Sequence, residues 1–130
     1  MSGKVVHFEI PFDDSDRAGK FYGDAFGWQI MPMPELSYTM VSTGPSDQET
    51  GPTESGFING GMFQRSDEFP AKGPNIVIDV ESIDDALSKV KDAGGSEVVG
   101  KMPVGDMGFT AYFADPEGNV LGLWENAQQG

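Results

Sequence analysis

Two kinds of hydrophobic spacing alternate along this chain, twice and in the same order. Residues 4–10 (Lys-Val-Val-His-Phe-Glu-Ile) alternate loosely and stop at Pro11, as a strand half-buried on one face would. Asp13, Asp14, Ser15 and Asp16 then offer several N-caps and a negative first turn. Ala18, Phe21, Tyr22, Ala25 and Phe26 recur at helical spacing, the stripe of an amphipathic helix on a sheet, and Gly27 supplies its stop. Beyond Trp28-Gln29-Ile30, the Met-Pro-Met-Pro run at 31–34 predicts a break reaching Glu35, and residues 36–42 predict another strand. Residues 43–56 are rich in Gly, Pro, Ser, Thr and acids, a surface loop that serves either as a lid over a ligand or as flexible decoration. Residues 57–64 predict a glycine-rich strand through Gly60-Gly61, and 66–73 a link.

The order then starts again. Residues 75–80 read as a strand, Ser82 with Asp85 as a capping box, and Ile83, Ala86, Leu87 and Val90 as one helical face closed by Gly94-Gly95. Residues 109–114 and 120–125 are strands of a hairpin turned at Asp115-Pro116-Glu117-Gly118-Asn119, where proline presets φ and glycine closes the turn. A shift of 68 residues places Ile10 on Ile78, Asp16 on Asp84, Ala18 on Ala86, Asp24 on Asp92, Ala25 on Ala93 and Gly27 on Gly95 without a gap. The expectation is an α+β fold of two tandem βαβββ modules, about 4–65 and 74–125, within one domain spanning 1–130. Their sheets would form a curled, mainly antiparallel surface with a concave cleft and the helices on its outer face.

Composition narrows the partners. With 21 acidic against 8 basic residues the net charge is −13, a field that repels nucleic acid and anionic membrane and attracts cations. The chain has no cysteine, which excludes disulfides and thiolate chemistry and favours the cytoplasm. Only three residues precede the first strand-like run and no apolar stretch approaches membrane-spanning length, so neither a signal peptide nor a transmembrane segment is expected. The glycine spacing at 95–101 imitates a phosphate loop, but Met102 stands where Ser or Thr is required.

The paired modules, the Phe21-Tyr22 and Phe26-Gly27-Trp28 helix end, and Asp115-Pro116-Glu117-Gly118-Asn119 before the last strand resemble the glyoxalase, bleomycin-resistance and extradiol-dioxygenase superfamily, the vicinal oxygen chelate proteins. Among these, the likeness is to uncharacterised proteins related to lactoylglutathione lyase, and it covers residues 4–125. Metal-using members hold a divalent ion with His, Glu, His or Gln, and Glu from four strands, and the ion stabilises charge on two substrate oxygens. Carried onto this chain, the first ligand falls on His7, the second near Gly60 or Gly61, the third on Asn75 and the fourth on Gly122. One good ligand of four remains, so the resemblance implies no cofactor here, with a divalent metal on His7 and Glu9 as the lesser alternative.

The expected function is accordingly a small-molecule-binding protein without an intact family metal site, sequestering a small organic ligand; the alternative is a metal-dependent lyase, isomerase or dioxygenase-like enzyme. His7 and Glu9 share a strand face and are the candidates for acid-base catalysis, while His7, Tyr38, Asn75, Tyr112 and Trp124 are the candidates for ligand contact. Trp124 would serve as a flat platform, with Gly122 beside it leaving room for the ligand. Glu125, by strand alternation, faces away from Gly122. Resemblance also implies a homodimer.

Overall fold

A computed structural model describes residues 3–47, 50–67 and 73–127. They form two compact units, His7–Pro74 and Met1–Val6 with Asn75–Gly130.

The unit His7–Pro74 takes in most of strand β1 (Val5–Phe12), then helix α1 (Ser15–Phe26), β2 (Gln29–Met33), a short 3-10 turn (Pro34–Leu36), β3 (Tyr38–Ser42), β4 (Ser46–Asp47), β5 (Gly51–Pro52) and β6 (Gly60–Gln64). Its main sheet has the order β2-β3-β6-β1, antiparallel except for the parallel pair β6–β1. Asp14 caps α1 by accepting from the Arg17 N–H, and Gly27 ends it at φ 73°, a left-handed conformation that glycine adopts without a Cβ clash. Phe8, Ile10 and Phe12 of β1 pack with Val41, Met62, Ile30, Ala18, Tyr22 and Trp28 between sheet and helix. The helix lies close because residue 19 is glycine: a Cβ there would stand 3.1 Å from Ile30 Cγ2.

Four expectations for this half are corrected. β1 does not stop at Pro11 but continues to Phe12, with Pro11 in register with Phe63. The Met-Pro-Met-Pro run is largely strand β2, because β2 lies at the sheet's edge, a position that tolerates proline. The helical stripe is rotated: Ala18 and Tyr22 reach the core, whereas Phe21 and Phe26 are 57% and 64% exposed. The segment 43–56 carries the β4–β5 hairpin, and its base is tied down where Asn59 accepts from the Thr43 N–H at 3.0 Å and donates to Ser46 Oγ at 2.8 Å.

The second unit repeats the plan with β7 (Asn75–Asp79), α2 (Ile83–Asp92), β8 (Ser96–Val104), β9 (Gly108–Ala114) and β10 (Val120–Asn126) in the order β8-β9-β10-β7. Again the module's last strand pairs in parallel with its first. Helix α2 begins 68 residues after α1, as the internal repeat predicts. Its buried Ile83, Ala86 and Leu87 meet Val80, Ala111 and Leu123. Five residues connect β9 to β10; Asp115 Oδ1 accepts from the backbone N–H groups of Glu117 and Asn119, the Asx-type device that lets this sequence turn. The Asn119 side chain, first among these donors, holds the Asp115 carboxyl below its usual range. The chain is α+β, mainly antiparallel with helices packed on sheets. No helix among the described residues is long and apolar enough to cross a membrane.

Candidate functional site

Strand alternation sorts the unit His7–Pro74 into two chemically different faces. Phe8, Ile10, Phe12, Val41 and Met62 point toward α1. The registers Glu9↔Gly61, Met40↔Gly61, Tyr38↔Phe63, Met31↔Met40 and Met33↔Tyr38 put Glu9, Gly61, Phe63, Tyr38 and the three methionines on the opposite face, with His7 two residues before Glu9.

On that face His7, Tyr38 and Glu9 form a hydrogen-bonded series. His7 Nε2 lies 2.8 Å from the Tyr38 hydroxyl, which donates to Glu9 Oε2 at 2.9 Å. Glu9 is buried at 5% exposure, and His7 and Tyr38 are half-buried. Burial disfavours the imidazolium and lowers the His7 pKa from 6.5 to about 4, so the ring is neutral at neutral pH. Tyr38 stands where it does because residue 61 is glycine: a Cβ there would overlap its hydroxyl and ring. The space beside Gly60 is likewise filled, by the Phe8 ring on the α1 side. Both positions aligned with the family's second metal ligand thus have a neighbouring aromatic in the volume a ligand side chain would need.

The unit containing β7 to β10 shows the same pairing of tyrosine with glycine. Tyr112 is in register with Gly122, and a Cβ on Gly122 would stand 3.1 Å from Tyr112 Cε1 and 3.2 Å from Val77 Cγ2. The room expected beside Trp124 is therefore taken up by Tyr112, which is 5% exposed. Trp124 donates through Nε1 to Asn126 Oδ1 at 2.8 Å. Asn75 is buried, and among the described residues neither its Nδ2 nor its Oδ1 has a hydrogen-bond partner. Glu125 lies on the α2 side, accepting from the Ile83 N–H at 2.8 Å, with Lys101 Nζ 3.7 Å from the same oxygen.

Of the residues singled out in the sequence, His7, Glu9 and Tyr38 are brought together; Asn75, Tyr112 and Trp124 belong to the other unit. Met31 and Met33 are not expected here from the sequence because the prolines beside them predict a break, although their spacing of two is a strand signal; Met40 lies in the predicted strand 36–42, where alternation puts it on the face of Tyr38. Among the described residues no three His, Cys, Asp or Glu side chains cluster as a group that could hold a metal ion.

The bleomycin resistance protein-like N-terminal family matches residues 4–44. A glyoxylase-like domain-containing protein of Didymella fabae is 28% identical over 92% of this chain and 91% of its own length. A probable lactoylglutathione lyase of Vibrio parahaemolyticus is 29% identical over 98% and 94%. In sequence and fold the chain is similar to proteins of the glyoxalase, bleomycin-resistance and dioxygenase superfamily. Its fold resembles that of Streptomyces coelicolor methylmalonyl-CoA epimerase, solved with 2-nitronate-propionyl-CoA, at a TM-score of 0.65 and 17% identity over 98% of this chain and 100% of that one.

Proposed function

We propose that this protein binds a small organic molecule on the sheet face bearing His7, Glu9 and Tyr38, without a divalent metal. The observation that carries the reading is the His7–Tyr38–Glu9 series, with Tyr38 lying over Gly61, on a face otherwise lined by Met31, Met33, Met40 and Phe63. Few polar groups set among adaptable apolar side chains is the usual make-up of a small-molecule site. Sequestration is the role we assign, in the cytoplasm and as a homodimer, in keeping with the lack of cysteine and the match of residues 4–44 to the bleomycin resistance protein-like N-terminal family. The net charge of −13 favours a cationic or neutral ligand over an anion.

The second reading is a metal-dependent lyase, isomerase or dioxygenase-like enzyme, favoured by the name of the Vibrio relative and the fold of the epimerase. Elemental analysis of protein purified without chelator separates the two. The metal-free reading expects no stoichiometric divalent ion; a near-stoichiometric one, lost in His7→Ala, overturns it. A thermal-shift screen of small organic molecules should find stabilisers whose effect is lost in His7→Ala. Light scattering that gives a monomer at high concentration removes the dimer.

A further inference from the structure

Tyr38 has a single hydroxyl proton, and the geometry gives that proton to Glu9 Oε2. The hydroxyl oxygen then meets His7 Nε2, 2.8 Å away, only as an acceptor. A neutral imidazole carries one N–H, so that hydrogen is on Nε2 and the lone pair is on Nδ1. No residue among those described makes a hydrogen bond to His7 Nδ1. We infer that Glu9 and Tyr38 are positioning residues that lock His7 in the Nε2–H tautomer, presenting Nδ1 as a hydrogen-bond acceptor for an N–H or O–H donor on the ligand.

This inference rests on the small-molecule reading and deepens it by naming the group recognised. An imidazole free to change tautomer would accept from one ligand and donate to another, so the site would discriminate little between donors and acceptors. Fixed from behind by a carboxylate through a phenol, the ring rewards donors and leaves a ligand's acceptor facing a lone pair. Discrimination of this kind is strong because the mismatched polar groups stay unpaired in a partly buried place. The methionines and Phe63 around it would accommodate varied apolar bodies attached to that donor group.

Nitrogen-15 NMR of ligand-free protein tests the tautomer alone. Expected are a pyrrole-type signal from Nε2 and a pyridine-type signal from Nδ1, with the preference reduced in Tyr38→Phe; an Nδ1–H ring, or averaged signals in the wild type, overturns the inference. Phenol and anisole then test the recognition, since they share a ring and differ by an O–H donor. Phenol is expected to shift the Nδ1 signal at concentrations at least tenfold below those at which anisole does, and equal responses overturn the inference. If the tautomer is as stated and neither compound, nor any stabiliser from the thermal-shift screen, perturbs His7, the claim of ligand recognition is overturned together with the small-molecule reading, while the tautomer assignment stands. Because the wild-type measurement needs no variant, misfolding of Tyr38→Phe would not shield the inference.

Discussion

At the scale of the residue, the telling positions are glycines and what covers them. Gly61 and Gly122 each leave a volume that a tyrosine from a neighbouring strand fills, Tyr38 in one unit and Tyr112 in the other. A carboxylate substituted at 61 would first have to displace a ring. Gly61→Ala should therefore cost about 1–3 kcal/mol by overpacking, and much less in a Tyr38→Ala background. Chemical denaturation of the four members of this double-mutant cycle checks the point; costs that simply add would mean that Tyr38 does not hold that space. His7 yields a pH prediction with a definite sign. Its folded pKa of about 4 lies below the unfolded value of 6.5, so as pH falls between these values the unfolded chain takes up a proton that the native state refuses. Stability should fall across that window by up to about 3 kcal/mol, with no further loss from this group below it. His7→Gln should remove that part of the pH dependence in urea titrations; an unchanged slope would assign it elsewhere.

At the scale of the element, the two helices are held by different means although the repeat makes them equivalents. Helix α1 depends on close approach at Gly19 and on the stacking of Tyr22 with Trp28, whose ring centroids are 5.0 Å apart. Helix α2 adds a long-range tether, because the Glu125 carboxylate of β10 accepts from the Ile83 N–H at its first turn. A charge-assisted bond to a helix N-terminus that is also buried is worth about 1–3 kcal/mol. Glu125→Ala should lose that much stability and speed hydrogen exchange at Ile83, while Glu125→Gln, which keeps an acceptor, should lose less. Equal losses in the two variants would mean that charge, shared with Lys101, matters more than the hydrogen bond. Elements were legible from the sequence wherever period and cap agreed, as in α2 with Ser82. They were misread where a residue's usual meaning yields to position: Pro32 is a breaker in general, but at a sheet edge it is harmless.

For the whole molecule, charge is the dominant long-range term. A net charge of −13 on 130 residues repels itself, and about 0.15 M salt shortens the screening length to roughly 8 Å from about 30 Å at 0.01 M. Thermal stability should therefore rise on going from 0.01 to 0.15 M sodium chloride, as scanning calorimetry would read; a fall would show that specific ion pairs outweigh the net repulsion. Ion pairs such as Lys20–Asp24 and Arg65–Asp13 are exposed, so their contribution is small and screened. By itself the sequence determined the doubled module, the alternation that separates His7 and Glu9 from Phe8 and Ile10, and the resemblance to the superfamily, because these depend on local period and on residue types at fixed spacing. Only the tertiary structure decided that Tyr38 meets His7 from 31 positions away, that tyrosines fill the room above Gly61 and Gly122, and that Glu125 tethers a helix. Those facts depend on strand register and on which side chain reaches an empty volume first, and neither is encoded in any single stretch of chain.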